Sequence, residues 1–311
     1  MNPKLPLICP KCLSLGEEIL LDNNLVCSRC ASAFPIVDGF PILLEDDLIR
    51  TDLASGKPLD GARVAFYQND EKYLPVSDAQ PLLHSALAAS SGEGAVLEVG
   101  SGRGAFRKVA ADHVALDLSL SALRRNLAGH PGLCASADLV PLASASCRFL
   151  FSVQTLEHIP SADRAFAEID RLLVSGGVAY LSPAWHCRPW NADGIPARPY
   201  RDLTWKQKLI KVSLPVRDSV VFRAAASIPW RMWRRLTQTA PGPLRFTKLR
   251  ANYEHFWMSD SDACASIDSH EAILFFERRG YEILNPQGGA ISRLLFRAGP
   301  VIVRKTVATK G

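Results

Sequence analysis

No stretch of the 311-residue chain runs to 18 apolar residues without a charge, which argues against a membrane-spanning helix. No heptad persists, and glycine (20) and proline (21) are near average, so a coiled-coil or collagen-like fibre is excluded as well. The opening Met1-Asn2-Pro3-Lys4-Leu5-Pro6 holds too few apolar side chains and too much proline for a secretory signal. What is present is ordinary for a globular protein. Hydrophobic residues make up 48% and charged ones 22%, which is too apolar for a disordered chain and enough for one large domain or two modest ones. The expected location is a reducing cytoplasm, where the eight cysteines point to metal or burial rather than disulfides.

Four of those cysteines form Cys9-x2-Cys12 and Cys27-x2-Cys30. Each such turn presents two thiolates to one ion, and two turns complete a closed tetrahedral site that suits zinc. A redox pair would need a single such motif in a βαβ setting. With sulfur in all four positions no substrate can enter, so the expected role is structural. The remaining Cys134, Cys147, Cys187 and Cys264 are scattered and read as small buried hydrophobes. After the second pair comes Phe34-Pro-Ile-Val-Asp-Gly-Phe-Pro-Ile-Leu-Leu44, in which Asp38-Gly39 reads as a tight hairpin turn. Ribbon and hairpin together resemble the small zinc-ribbon activator subunit that partners several tRNA and release-factor methyltransferases. The expected division is a ribbon over 1–45, a linker over 46–61 and a second domain over 62–311.

Ala95-Val-Leu-Glu-Val-Gly-Ser-Gly-Arg-Gly104 reads as a buried strand running into a glycine-rich turn that opens a helix. Alone this is ambiguous, because Gly100-x-Gly102-x-x-Ala105 also satisfies a dinucleotide fingerprint. A second strand ends in Asp117, a third in Asp138, and a fourth runs to Gln154 and the Leu156-Glu-His158 triplet. A helix over 163–173 leads through Val174-Ser-Gly-Gly177 to a fifth strand at 178–181. In this order the elements resemble class I S-adenosylmethionine-dependent methyltransferases of the small-molecule and quinone-biosynthesis branch. The resemblance implies a Rossmann-like α/β sheet of seven strands and S-adenosyl-L-methionine (SAM) as cofactor. It also implies a cofactor-binding set of Glu98, Gly100, Ser101, Gly102, Gly104, Asp117, Leu118, Asp138, Leu139 and Gln154. In it the glycines meet the methionine end, Asp117 the ribose and Asp138 the adenine amine, while Glu98 orients the glycine loop and the cofactor's amino group. Phe66, Tyr67 and Tyr73 fall where family members carry a cofactor-covering helix.

His158 and His186 follow the fourth and fifth strands and are the candidate bases, each competing with a purely structural reading. The remaining sheet elements come only after residue 266, so residues 183–266 form a helical insertion or lid. The net charge of +5 conceals its character: residues 198–250 hold 13 Lys and Arg against Asp202 and Asp218. Trp230, Trp233 and Leu236 lie beside Arg231, Arg234 and Arg235, and Trp205, Leu209 and Ile210 beside Lys206, Lys208 and Lys211. A cationic helix with Trp and Leu on one face suits the anionic inner face of a membrane. Tryptophans lining an acceptor pocket, or basic residues binding RNA, are the competing readings. The expected activity is methylation of a small-molecule or lipid-linked acceptor. An RNA methyltransferase and a non-catalytic scaffold are the alternatives, although the NPPY-like motif of amino-methylating RNA enzymes is replaced by Gln154-Thr-Leu-Glu.

Overall fold

The computed structural model describes residues 5–15, 18–21, 23–44, 80 and 82–306. The linker expected at 46–61, and Phe66, Tyr67 and Tyr73, lie outside them. The N-terminal ribbon is an antiparallel sheet of β1 (Glu18–Leu21), β2 (Asn24–Cys27), β3 (Ala33–Val37) and β4 (Phe40–Pro41). Asp38 and Gly39 turn the β3–β4 hairpin at φ 51° and 86°, the pair of left-handed residues that a type I′ turn needs.

Helix α1 (Leu83–Ala88) precedes a run of parallel strands: β5 (Ala95–Val99), β6 (His113–Asp117), β7 (Gly132–Cys134), β8 (Cys147–Val153) and β9 (Leu173–Ser182). Every residue of β5 and β6 is buried, as expected of parallel strands covered on both faces. Helix α2 (Leu120–Asn126) joins β6 to β7. Helix α3 (Ala162–Leu172) buries Ala162, Ala165, Phe166, Ile169 and Leu172, one face at helical spacing. The insertion supplies α4 (Trp205–Arg217), α5 (Val220–Thr237) and a small pair, β10 (Phe246–Lys248) with β11 (Ala265–Ile267). Helix α6 (Ser269–Glu277), β12 (Glu282–Asn285), α7 (Ala290–Leu295) and β13 (Val301–Arg304) finish the domain. The sheet order is β12-β13-β9-β8-β5-β6-β7, with β13 antiparallel to both neighbours. The strand order reverses between β5 and β8, and the carboxyl edge at that switch point is where such sheets bind ligands.

Three local expectations shift. The third strand stops at Cys134 and not at Asp138, because the Ser136 hydroxyl binds the Asp138 carboxylate and folds the chain into a turn instead. The fifth strand starts at Leu173, five residues early, with a register shift between Cys147 and Phe149 of β8. No helix follows the glycine loop: residues 101–109 are successive turns, closed by Gly104 N–H to Ser101 O (2.8 Å) and Val109 N–H to Phe106 O (2.8 Å). Gly100, Gly102 and Gly104 all have positive φ, so right-handed helix cannot begin before residue 105.

The ribbon is continuous with the large sheet. Ile42 bridges Cys134 in parallel, the Leu43 N–H donates to Cys134 O (2.8 Å), and the Ile8 N–H donates to Pro141 O (3.0 Å). Residues 42–44 thus cover the β7 edge, which would otherwise leave backbone groups unpaired. Cys9, Cys27, Phe34 and Leu43 share one hydrophobic core with Leu116, Leu133 and Leu142.

The insertion corrects the cationic-face reading of α5. Arg231 and Arg234 are buried and ion-paired inward, Arg231 with Asp268 (2.6 Å) and Arg234 with Glu271 (2.7 Å), and Arg235 reaches Glu277 (2.7 Å). Lys211 likewise turns inward to the backbone of Pro196 and Arg198. The cause is α6 with its N-cap Asp268, whose acids offer buried partners; breaking one such pair strands a buried charge at a cost of about 3–5 kcal/mol. What α5 presents outward is Trp230, Met232, Trp233 and Leu236. Trp230 and Trp233 are each 47% exposed.

Candidate cofactor and metal sites

Cys9, Cys12, Cys27 and Cys30 bring their sulfurs within 4.8 Å of one another. Cys9 Sγ lies 3.6 Å from Cys30 Sγ, and Cys12 Sγ 3.7 Å from Cys27 Sγ. A tetrahedron of zinc–sulfur bonds about 2.3 Å long has edges of about 3.8 Å, so the cluster already has the spacing of a zinc site. The backbone N–H groups of Cys30 and Arg29 hold the Cys27 thiol down to about 6, which favours the thiolate that a metal requires. Cys134, Cys147, Cys187 and Cys264 are all buried and form no disulfide among the described residues.

The second site is assembled on the carboxyl edge of the sheet. The Gly100 and Ser101 N–H groups both donate to Leu116 O, which lashes the start of the glycine loop to β6. A Cβ at Gly100 would fall 2.2 Å from the Thr155 side chain, and its φ of 79° disfavours any other residue. Asp117, buried at the end of β6, accepts the Gly102 N–H (2.7 Å) and the Ser119 N–H (2.8 Å). The Ser101 hydroxyl is buried with no hydrogen-bond partner among the described residues, as expected of a group awaiting a polar ligand. Leu118 is half-buried just past Asp117. Asp138 and Leu139, also half-buried, follow β7, and Asp138 pairs with Arg164 (2.8 Å). Gln154 is exposed beyond β8 in the left-handed region, φ 49°, held by its N–H to Ser182 O.

Residues 97–181 match the Methyltransferase domain family. A UPF0434 protein of Nitrosospira multiformis is 46% identical over 52 residues, 16% of this chain and 85% of the relative. The chain carries a SAM-dependent methyltransferase domain behind a zinc ribbon of the UPF0434 kind. Among solved structures, a SAM-dependent methyltransferase from Mesorhizobium loti aligns with a TM-score of 0.38 and 16% identity, over 73% of this chain and 99% of the other. A complex of the Haloferax volcanii Trm112 methyltransferase activator with a methyltransferase aligns with a TM-score of 0.32 and 18% identity, over 45% of this chain and 66% of that one.

Within this methyltransferase, Glu98 is tied to β6 through His113. Its Oε2 lies 2.9 Å from His113 Nε2, and His113 Nδ1 lies 2.7 Å from His130 Nε2. Burial, and then the charge of Asp117, push the Glu98 carboxyl well above its ordinary value, while burial pulls His113 down to about 4. This buried chain was invisible in the sequence because its members are 15 and 17 residues apart on different elements.

The two candidate bases differ sharply. His158 is half-buried, and its partial desolvation alone would lower its basicity. The Asp262 hydrogen bond (Nδ1 to Oδ2, 3.0 Å) and the charges of Glu157, Asp262 and Asp260 outweigh this and raise it to about 9. At neutral pH it is an imidazolium with no lone pair to accept a proton. His186 stands just past β9 in the left-handed region, φ 61°. Burial lowers it to about 4, so it is a neutral imidazole, and its Nε2 is buried without a partner among the described residues.

The Asp262 pairing makes a pH-dependent prediction. Because His158 is raised above its ordinary 6.5, the pair's stabilisation is fully present below that value and is lost as pH rises through about 9. Asp262→Asn is expected to lower stability by about 2 kcal/mol near pH 6 and by little near pH 10, read by urea unfolding across a pH series. Equal destabilisation at both ends would contradict the pairing.

Proposed function

We propose that the chain transfers the SAM methyl group to a small-molecule or lipid-linked acceptor at a membrane surface. The observation that carries the cofactor part is the pinned glycine loop, with a Ser101 hydroxyl that has no partner among the described residues and the Asp117 carboxylate that binds the loop. When bound there, SAM supplies an electrophilic methyl on a sulfonium. The Asp117 carboxylate, held by the Gly102 and Ser119 N–H groups, would be the acceptor for ribose hydroxyls. Gly100, Ser101, Gly102 and Gly104 would hold the methionine end and Asp138 the adenine amine, with Leu118, Leu139 and Gln154 completing the cofactor-binding set. Glu98, fixed by its contact with His113, would orient the glycine loop and the cofactor's amino group.

Methyl transfer relies chiefly on alignment and exclusion of water. Where the acceptor must lose a proton, neutral His186 is the better base, and His158 with Asp262 positions the acceptor instead. The proposed domain limits are a ribbon over 1–45, a linker over 46–61 and a methyltransferase unit over 62–311 with its insertion at 183–266. Membrane-surface action is supported by the outward apolar residues of α4 and α5. It is compatible with the finding that no described helix is long and apolar enough to cross a membrane.

The test is to incubate purified protein and methyl-labelled SAM with a membrane lipid extract and, separately, with a soluble extract. Label is expected in the lipid fraction. Label confined to the small molecules of the soluble extract would remove the lipid-linked acceptor, and label confined to its RNA would favour the RNA reading.

A further inference from the structure

The outward surface of the insertion is unusual in composition. On α4, Trp205, Leu209, Val212 and Val216 are each 61–67% exposed, and their spacing puts them on one stripe. On α5, Trp230, Met232, Trp233 and Leu236 are 47–77% exposed. At about 100° per residue those four span an arc of about 160°, while Arg231, Arg234 and Arg235 occupy the opposing arc. The helix is therefore inside-out relative to a helix that stabilises a soluble core: its charges face inward and its apolar residues face out. Only Asp218 and Ser219 separate the two helices.

We infer that α4 and α5 form a hairpin wedge whose apolar ridge enters the acyl region of an anionic bilayer. This rests on the membrane-surface reading above and specifies how the surface is engaged: by apolar insertion more than by charge. Three features favour a bilayer over another occupant. Trp230 and Trp233, with ring centroids 4.8 Å apart, have the amphipathic chemistry of interfacial anchors. Exposed Lys206, Lys208 and Arg217 flank the ridge, against the acids Asp202 and Asp218, which complements anionic headgroups. Aliphatic Leu209, Val212, Val216 and Leu236 gain nothing from phosphates or bases, and the α5 arginines that would serve a nucleic acid are turned away.

The inward arginines give the wedge its connection to the catalytic edge. Arg231 grips Asp268 and donates to the Leu294 and Phe296 carbonyls (2.7 and 2.9 Å). The charge of Asp268 in turn reaches His186. The ridge is thus clamped at a fixed position relative to the candidate base.

The experiment uses the full chain with vesicles of phosphatidylcholine and phosphatidylglycerol, with and without acyl-chain bromination. Brominated chains are expected to quench tryptophan fluorescence, and flotation with the vesicles is expected to persist in molar salt. Replacing Trp230, Trp233 and Leu236 by Glu should lower vesicle binding by about tenfold or more, with SAM affinity unchanged as the control for folding. Replacing Lys206 and Lys208 by Glu should remove only the salt-sensitive part, about threefold. Bound but unquenched protein that salt releases would overturn insertion and leave the membrane-surface reading standing. Absence of vesicle binding, with a solution mass of two chains, would overturn both and assign the ridge to a second copy.

Discussion

Asp117→Ala is expected to weaken SAM binding by about tenfold or more, measured by equilibrium dialysis with labelled cofactor. The carboxylate does two jobs at once. It pins the glycine loop through the Gly102 N–H and the start of α2 through the Ser119 N–H, and both bonds are made in a buried setting. Charge-assisted bonds of this kind contribute about 1.5–3 kcal/mol each, and truncation leaves two N–H donors without their acceptor. Asp117→Asn should be intermediate, since one oxygen remains while the amide N–H2 confronts a second donor. The Ser119 side chain caps α2 independently through the Ala122 N–H (3.1 Å), so the helix itself should persist. An alanine variant with wild-type affinity would show that Asp117 shapes the loop without serving the cofactor.

Removing zinc is expected to destabilise the whole chain and not the ribbon alone. Zinc in small cysteine sites contributes apparent binding energies of about 10–16 kcal/mol, much of which is folding energy. Here Cys9 and Cys27 belong to the same core as Leu116 and Leu142, and the segment after β4 covers the β7 edge. Loss of the ribbon would uncover that edge and loosen the turn that carries Asp138 and Leu139. A strong chelator, or Cys27→Ser, should lower the thermal midpoint by about 10 °C or more, since 1 kcal/mol shifts a domain of this size by about 2–4 °C. The metal released should approach one zinc per chain. An unchanged midpoint after complete removal would mean that the ribbon is held by its apolar contacts alone.

Much of the methyltransferase core was legible in the sequence because its signals are local. Ala95–Val99 is a five-residue apolar run with one acid, Asp38-Gly39 has the turn chemistry of a hairpin, and the two C-x2-C pairs fix a metal site by spacing. The orientation of α5 was not legible. Its sequence shows two opposed faces, one of Trp and Leu and one of Arg, and either could face inward. The choice is made by Asp268, Glu271 and Glu277, which stand 37–42 residues downstream. The partner of Glu98 was hidden for the same reason, because His113 meets it only across paired strands. The left-handed backbone at Gln154 and His186 carried no sequence signal, since neither residue is glycine. Both sit at strand ends where a ligand would approach, the usual place for such local strain.

The most direct test of the account is calorimetric titration of the intact, zinc-loaded chain with S-adenosylhomocysteine. The account predicts a single saturable site per chain that SAM competes for. Absence of binding heat in a folded, zinc-loaded sample, confirmed by dialysis with labelled SAM, would contradict it.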